Sequence, residues 1–403
     1  MRGFARRSTV AETLAWLDGR IGPLGSEHVA LAAAAGRILA SDVVSVLDVP
    51  GFARAMMDGF AVRSADTLGA STYNRMSLSI EGEVLPGTAY RGNVGAGQAV
   101  RIMTGAPIPD GADAVIPFEK VEIDEDARRL AVLDEVSATR HVGSRGEDIR
   151  SGQTVVRCGR RLRPQDVGVL SSIAVQQVPV VRRPTVRIVV TGNELLPPGS
   201  VPTGSRIADA NGPMLAALAA RDGGLVRNPG IITDHPNHIL AALREPTDMV
   251  LVSGGTSVGR DDHAPMLLAE HGDLAIHGIA MRPSSPAGMG MLDNRLVFLL
   301  PGNPVSCLCA YDFFAGRAIR VLGGRSPDWP YRHATRPLKR KLVSTVGRVD
   351  YARVQLDDDG VEPLAIGGAS VLSSTTRADG FVIIPGDSEG YASNAQVRVY
   401  LYD

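Results

Sequence analysis

One stretch of the chain, DMVLVSGGTSVGRDD, joins an apolar run to a turn that is rich in glycine and hydroxyl groups. Adjacent glycines allow the backbone to turn sharply and to approach a ligand closely. The hydroxyls that follow add to the main-chain N–H donors, a combination that suits an oxyanion. The candidate binding residues of this turn are Gly254, Gly255, Thr256 and Ser257.

Two carboxylates, Asp261 and Asp262, end the same stretch. Carboxylates beside a phosphate-type anion are usually tolerated when a hard cation such as Mg²⁺ lies between them. An alternative is that both residues merely cap a helix that begins near Ala264. The turn therefore predicts either an anion site with a metal ion or an ordinary helix start.

Three further turns follow or precede predicted elements of the same region. They are Thr191-Gly192-Asn193-Glu194, then Asp209 with Asn211, and Pro301-Gly302-Asn303-Pro304. Each has a simple structural explanation as a turn or a helix cap, and capping is favoured for Asp209 and Asn211. The last turn opens a long helix, so we expect the main-chain donors of Val305 and Ser306 to face the cleft. Turns that converge on one edge argue for a ligand site more strongly than any one of them.

Candidate groups also occur earlier in the chain. Asp58 stands in a Met-Asp-Gly turn, and Thr104-Gly105 follows a predicted strand. Glu147 and Asp148 lie in the loop GSRGEDIRSGQ, where a solvated, salt-bridged loop is the default interpretation. By themselves these residues would indicate only turns and a loop.

The elements that position the main candidates alternate between strand and helix from TVRIVV to the helix PVSCLCAYDFFAGRAIRVL. The strands read as continuous apolar runs, which predicts a doubly wound parallel sheet covered on both faces. Ligands of such sheets bind outside the carboxyl ends of the strands. Short β-prone runs before and after this region predict a β-rich insertion in a helical entry domain and a small all-β C-terminal domain.

Composition narrows the class of protein. A chain of 403 residues with 44% hydrophobic and 21% charged residues predicts several globular domains. The net charge of −1 gives no global attraction to nucleic acid or to an anionic membrane. Three cysteines, the interrupted N-terminal MRGFARRSTV and the lack of a long apolar run lead us to expect a cytoplasmic protein.

The motifs in serial order resemble the molybdopterin molybdenumtransferase family, which includes bacterial MoeA and the E domain of gephyrin. The matching segments are MMDGFAV, RIMTGAPIPDGADAVIPFE, GEDIRSGQ, TGNEL, DANG, SGGTSVGRDD and LPGNPVS. The resemblance runs from about residue 10 to residue 400. Each motif is weak alone, but their combination is highly specific.

The resemblance implies a fold of four domains in an elongated homodimer. It places a helical and irregular domain at 1–46 and 142–181, an inserted β-rich domain at 47–141, a doubly wound, MogA-like α/β domain at 182–325 and a C-terminal β-barrel domain at 326–403. The implied reaction is Mg²⁺-dependent insertion of molybdate into adenylylated molybdopterin, with release of AMP. Molybdoenzymes or other proteins of cofactor biosynthesis would be further partners.

Site residues follow from the same resemblance. The catalytic positions fall on Asp58, Thr104, Asp148, Glu194, Asp234 and Asp262. Glu194 and Asp262 would hold Mg²⁺, and Asp58 and Thr104 would act across the dimer interface. The cofactor-binding positions are Thr191, Gly192, Asn211, Gly254, Gly255, Thr256, Ser257, Arg282, Ser285, Pro301, Gly302 and Asn303.

One segment departs from the family pattern. Where the family usually has a lysine and then Lys-Pro-Gly-Lys-Pro, this chain reads HGIAMRPSSPAGMG. Gly278 takes the first lysine position, Arg282 keeps a charge and Ser284-Ser285 replace Gly-Lys. The C-terminal domain also has Asp379 where asparagine is usual. An alternative function is therefore a carrier that binds molybdopterin or the finished cofactor without inserting metal. A generic nucleotide-binding enzyme has no phosphate-loop or dinucleotide fingerprint to support it.

Overall fold

The computed structural model describes residues 7–256, 262–365 and 367–402. The chain divides into two compact units. The first unit comprises Met1–Glu27 and Val181–Asp403, and the second comprises His28–Val180. The N-terminal helix therefore belongs to the same unit as the predicted α/β region.

The helices, in chain order, are α1 (Val10–Asp18), α2 (Pro164–Ser172), α3 (Asn211–Arg221), α4 (Pro236–Arg244), α5 (His263–His271), α6 (Pro304–Ala310), α7 (Gly316–Leu322) and α8 (Ser373–Thr376). A π-helical segment, Tyr311–Ala315, joins α6 to α7, so the long helix predicted after the Pro301 turn is confirmed. No helix in the described parts of the chain has both the length and the apolar character needed to cross a bilayer.

The strands are numbered in chain order. Those up to Val181 are β1 (Ser26–Ala30), β2 (Val43–Val44), β3 (Arg54–Ala55), β4 (Gly59–Val62), β5 (Met76–Val84), β6 (Gln98–Ile102), β7 (Ala114–Pro117), β8 (Val121–Asp124), β9 (Arg129–Val132), β10 (Val142–Gly143), β11 (Thr154–Val156) and β12 (Gln177–Val181). The next are β13 (Thr185–Thr191), β14 (Leu195–Leu196), β15 (Ile207–Ala208), β16 (Leu225–Arg227), β17 (Ile231–Ile232), β18 (Met249–Ser253), β19 (Asp273–His277), β20 (Met281–Arg282), β21 (Gly288–Leu292) and β22 (Arg295–Leu300). The last are β23 (His333–Pro337), β24 (Leu342–Val343), β25 (Val349–Asp357), β26 (Gly360–Ala365), β27 (Gly380–Ile384), β28 (Gly390–Tyr391) and β29 (Gln396–Leu401).

The α/β sheet of the first unit has the order β16-β13-β18-β22-β21-β19, and β17 also pairs with β13. Strands β16, β17, β13, β18 and β22 run parallel, as the apolar runs predict. The edge differs from the expected all-parallel sheet, because β21 pairs in antiparallel orientation with both of its neighbours, β22 and β19. The short connection between β21 and β22 explains this difference, since a parallel crossover needs about a dozen residues or more.

Both faces of this sheet are covered, which confirms the doubly wound fold. On one face, Ile188 and Val190 pack with residues of α3 and of the α6–α7 helix. On the other face, Val189 packs against Ile239 of α4 and Leu268 of α5. Alternate residues of β13 thus enter opposite cores, so an apolar residue is required at each of these positions.

The C-terminal part forms a six-stranded sheet of order β20-β25-β27-β29-β23, with β26 paired to β25. Strand β20 contributes Met281 and Arg282 from the segment that departs from the family pattern. Its parallel register places Arg282 beside Asp350. The divergent segment is thereby joined to the C-terminal sheet.

The second unit contains a six-stranded sheet of order β7-β4-β6-β5-β9-β8. Its two faces carry separate cores, one around Phe60 and Leu130 and the other around Val100 and Ile102. A third core around Leu170 of α2 holds the helical and irregular part together. The β-rich and helical segments predicted for this region are both present.

Candidate active site

A cavity of about 540 Å³ lies at the carboxyl ends of the parallel strands of the first unit. This is the position at which doubly wound sheets bind ligands. Its lining includes Thr191, Glu194, Asn211, Gly254, Gly255, Thr256, Asp262, Pro301, Gly302 and Asn303. The four turns singled out in the sequence therefore meet at one edge of the sheet.

Close backbone packing at Gly254 brings two of these turns together. Gly254 has a φ of +94°, and a Cβ built on it would lie 2.1 Å from the carbonyl oxygen of Thr191. Any side chain would therefore clash with the end of β13 in addition to being conformationally strained. Gly255 continues the turn with a φ of +57°. The glycine pair is thus required by the geometry of the strand ends.

Asn211 joins three of the turns through its side chain. Its amide nitrogen donates to Ser253 Oγ at 2.9 Å and to the carbonyl oxygen of Gly302 at 2.7 Å. The helix-capping role belongs to Asp209, whose Oδ1 accepts from the backbone N–H groups of Asn211 and Gly212, each at 2.9 Å. The capping interpretation is therefore confirmed for Asp209, whereas Asn211 connects the turns.

The end of β13 and the turn after it contribute a hydroxyl, Thr191, and a carboxylate, Glu194, and a second carboxylate, Asp234, follows β17. Thr191 is buried, and its hydroxyl donates to Asp234 Oδ1 at 3.0 Å. Glu194 is exposed and lines the cavity. A Cβ at Gly192 would lie 2.7 Å from the Glu194 carboxylate, so the absence of a side chain there leaves room for that group. Asp234 thus acts on the cavity wall through Thr191.

The charge of the cavity wall is negative. Among the described residues that line it, Glu194, Asp209 and Asp262 are acidic and none is lysine or arginine. An anionic ligand in such a cavity needs a counter-cation or neutral hydrogen-bond donors. Two carboxylates on an open wall fit Mg²⁺, which typically takes one or two carboxylates together with water and substrate phosphate. Within the described ranges, no three acidic, histidine or cysteine residues form a closed metal site.

The turn before α5 is described only in part. Asp262 occupies the N-cap position of α5, but its side chain makes no capping hydrogen bond. The simple capping interpretation is therefore wrong for this residue. Ser257 and Asp261, which the sequence also singles out, lie outside the described residues.

A second pair of predicted residues meets in the second unit. Antiparallel pairing of Gly59 with Ile102 brings the turn at Asp58 next to Thr104. The backbone N–H and the hydroxyl of Thr104 both donate to Asp58 Oδ1, each at 2.7 Å. These two hydrogen bonds, first the backbone one, lower the pKa of the Asp58 carboxyl from its ordinary value. Asp58 is thus held as a carboxylate.

The loop around Asp148 is exposed. The backbone N–H of Asp148 donates to the carbonyl oxygen of Val49 at 3.1 Å. Its neighbour Glu147 forms a salt bridge with Arg54 at 2.8 Å. The default interpretation as a salt-bridged loop therefore holds for Glu147, although its partner lies far away in sequence.

The divergent segment does not place its charge in the cavity. Arg282 forms an ion pair with Asp350, a fully buried carboxylate of the C-terminal sheet. Neither Arg282 nor Ser285 belongs to the cavity lining, whereas Pro286 does. Gly278 has a φ of +91°, so a lysine at this position would be strained. The structure thus gives Arg282 a structural partner in place of an anionic ligand.

The start of α6 differs from the sequence expectation. The backbone N–H of Val305 donates to the carbonyl oxygen of Ala369 at 2.9 Å, so this donor is already used. Ala369 belongs to a loop of the C-terminal region whose next residue, Ser370, lines the cavity. The C-terminal region therefore contributes to the cavity wall, which no local sequence signal indicated.

Sequence reasoning also missed Arg353, a fully buried arginine in β25. Its Nη2 donates to the carbonyl oxygen of Gly367, which precedes the loop of Ser370. The remaining nitrogens, Nε and Nη1, are buried without a hydrogen-bond partner among the described residues. A charged residue amid the inward-facing positions of the strand DYARVQL was the available signal.

Three family models match the chain in succession. Residues 8–174 match the MoeA N-terminal region (domain I and II), and residues 335–402 match the MoeA C-terminal region (domain IV). Residues 187–320, which carry the cavity turns, match the model described as "Probable molybdopterin binding domain". Together the fold, the cleft and these models define a molybdopterin-binding class of multidomain α/β proteins.

Individual relatives are similar over nearly the full chain. The molybdopterin molybdenumtransferase of Staphylococcus aureus (strain COL) is 31% identical over 380 residues, covering 93% of this chain and 90% of the relative. The molybdopterin molybdenumtransferase of Staphylococcus epidermidis is 30% identical over 373 residues, covering 91% and 88%. A crystal structure of a MoeA molybdopterin biosynthesis protein from Pyrococcus horikoshii aligns with a TM-score of 0.85 at 32% identity, covering 98% of this chain and 99% of that one.

The chain belongs to the molybdopterin molybdenumtransferase family. It is therefore an enzyme of this family with a role in molybdenum cofactor biosynthesis. The family resemblance carried by the sequence motifs is confirmed, and so is the predicted fold class of a doubly wound α/β domain combined with β domains.

Substitution of Gly254 tests the close packing of the strand ends. Gly254→Ala should lower the free energy of unfolding by about 2 kcal/mol or more, because backbone strain adds to the clash with Thr191. Gly230→Ala is the matched control, since Gly230 has the same φ of +94° but nothing within 4 Å of the position that a Cβ would take. Denaturant unfolding of both variants measures the difference. Equal losses would show that the contact with Thr191 is unimportant.

Substitution of Thr104 tests the hydrogen bonds to Asp58. Thr104→Val removes the hydroxyl donor and should raise the pKa of Asp58, while the remaining backbone hydrogen bond keeps it below the ordinary value. The Asp58 carboxylate would then become protonated at a higher pH as the solution is acidified. A carboxyl ¹³C NMR titration, assigned with Asp58→Asn, measures this shift. Thr154→Val, at an exposed position, is the control, and an unchanged Asp58 titration in Thr104→Val would refute the interaction.

Proposed function

We propose that this chain catalyses Mg²⁺-dependent insertion of molybdate into adenylylated molybdopterin, with release of AMP, in the cytoplasm. The observation that carries the proposal is the convergence of four turns on one acidic cavity that has no lysine or arginine among its described lining residues. Molybdate and the phosphates of the substrate are anions. An acidic wall can hold them only through a cation or through neutral donors.

The reaction needs two bond changes that this cavity could serve. Water cleaves the phosphoanhydride bond, so that AMP leaves and a phosphate remains on the pterin. The two thiol groups of the pterin bind molybdenum in place of one molybdate oxygen, which leaves as water with the two thiol protons. When bound, Mg²⁺ would neutralise phosphate charge and orient the attacking water.

Each group of residues has a proposed role. Glu194 and Asp262 would hold Mg²⁺ through their carboxylates. The hydroxyl of Thr256 donates to the carbonyl oxygen of Leu300 at 3.1 Å, so it stabilises the turn while the main-chain donors of Gly254 and Gly255 remain candidates for the substrate oxygens. Turnover would thus depend on the carboxylates, and retention of the substrate would depend on the turns.

The residues of the second unit enter the proposal through a homodimer. Asp58, held as a carboxylate by Thr104, would act at the cleft of the partner subunit, and the exposed Asp148 would serve the same reaction. A symmetric dimer would contain two such sites, each with residues from both chains.

Removal of the Asp262 charge tests the metal role. Asp262→Asn should lower the rate of AMP release by about 10²-fold or more, because an amide is a poor substitute for a carboxylate in holding Mg²⁺. Binding of molybdopterin should change much less. Asp293→Asn, at a carboxylate outside the cavity lining, is the control and should retain full activity.

The assay uses adenylylated molybdopterin, molybdate and Mg²⁺ and follows AMP by chromatography. A wild-type protein that binds the substrate tightly but releases no AMP would instead support the carrier function. An Asp262→Asn variant with the wild-type rate would refute the assignment of this residue to the metal.

Subunit mixing tests the homodimer. Asp58→Asn and Asp262→Asn should each be inactive alone, because every site lacks one group. After unfolding and refolding together, the mixture should recover about one quarter of wild-type activity, since half of randomly paired dimers are mixed and each holds one intact site. Recovery should fail in a mixture of Asp262→Asn with Glu194→Gln, because each change inactivates the cleft of its own subunit and every cleft of a mixed dimer then carries one of them. No recovery in the first mixture would contradict the shared site.

A further inference from the structure

The orientation of the Asn211 amide is fixed by its neighbours. Asn211 is 7% exposed and lies at the start of α3 in the cavity wall. Its amide nitrogen faces the carbonyl oxygen of Gly302 at 2.7 Å. A carbonyl oxygen can only accept a hydrogen bond, so a flipped amide would place two acceptors against each other. The side-chain oxygen of Asn211 therefore points away from Gly302.

That oxygen, Asn211 Oδ1, is buried and has no hydrogen-bond partner among the described residues. Buried side-chain polar atoms are nearly always paired, and an exception calls for an explanation. The same residue lines the cavity, where a bound ligand could supply the missing donor. The amide nitrogen of Asn211 already donates its two hydrogens, to Ser253 and to Gly302. The oxygen is therefore the one polar atom of this side chain that remains available to a ligand.

The surroundings of Asn211 do not suit an anion. The N–H groups of Asn211 and Gly212, which would otherwise form an anion site at the start of α3, are both taken by Asp209. Asp209 is itself 6% exposed and adds negative charge at this end of the cavity. An acceptor flanked by a carboxylate favours a ligand group that donates a hydrogen bond.

We infer that Asn211 is a specificity-determining residue that accepts a hydrogen bond from an N–H group on the heterocycle of the substrate. The inference rests on the proposed function and adds to it, because it assigns the ring, and not the phosphate or the molybdate, to the α3 end of the cavity. The ligand class is a nitrogen heterocycle that carries an amino group or a ring N–H. Both the pterin and the adenine of the substrate belong to this class.

Binding measurements on the full-length protein with Mg²⁺ distinguish the two rings. In the adenine arm, calorimetry compares AMP with purine riboside 5′-monophosphate, which lacks the amino group. In the pterin arm, it compares pterin with 3-methylpteridin-4-one, which lacks both the amino group and the ring N–H. The wild type should prefer the donor-bearing ligand by about tenfold or more in one arm, because a site built around a buried acceptor rejects a ligand that leaves it unpaired. The arm that shows the preference identifies the ring.

Variants separate recognition of the ring from support of the turns. The leucine side chain in Asn211→Leu has a similar size but no acceptor. The preference for the donor-bearing ligand over its analogue should therefore fall to about onefold, independently of any change in overall affinity. Asn211→Ala provides the same test should the leucine variant not fold. Ser253→Ala removes one partner of the amide nitrogen and keeps Oδ1, so it should retain the preference.

Two results would overturn the inference. One is a wild-type protein without a preference in either arm, and the other is a preference that survives in Asn211→Leu or Asn211→Ala. Release of AMP by the wild type in the insertion assay is measured in parallel. Release of AMP without a ring preference would reject only the role of Asn211 and leave the proposed reaction intact. A ring preference without release of AMP would reject the proposed reaction and leave Asn211 as a recognition residue.

Discussion

The cleft depends on one close contact, in which the backbone of Gly254 packs directly against the carbonyl oxygen of Thr191. With no side chain between them, the ends of β13 and β18 can place their turns around a common space. Asn211 then connects the end of β18 with the turn after β22 by hydrogen bonds to Ser253 and Gly302. Backbone packing and a single buried amide thus organise the turns, and the cavity results from both.

The second determinant is electrostatic. The described wall of the cavity is acidic, and the cation expected from the divergent segment is neutralised by Asp350 in the C-terminal sheet. Arginine at position 282 therefore has a structural function in this chain, in agreement with the preference of buried charges for fixed partners. Anionic groups of the substrates must then be bound by the metal ion, by main-chain donors and by neutral side chains. The carboxylates of Glu194 and Asp262 are therefore central to the proposed reaction.

Much of the fold and of the cleft could be predicted from the sequence, because the relevant signals are local. The apolar runs around Ile188 and Leu251 predict buried parallel strands, and glycine at 254 predicts a tight strand end. Other features depend on contacts between distant residues and leave no local signal. The pairing of Arg282 with Asp350, the use of the Val305 N–H by Ala369 and the burial of Arg353 are of this kind. The antiparallel edge of the sheet was missed because short glycine-containing runs such as that of β21 resemble turns.

The most direct test of the central claim is a crystal structure of the full chain with AMP, molybdate and Mg²⁺, in which anomalous scattering locates the molybdenum. We expect molybdenum and the AMP phosphate inside the cavity formed by the four turns, with the metal ion between the phosphate and the carboxylates of Glu194 and Asp262. Molybdenum and nucleotide bound at another surface, with this cavity holding only water, would contradict the central claim.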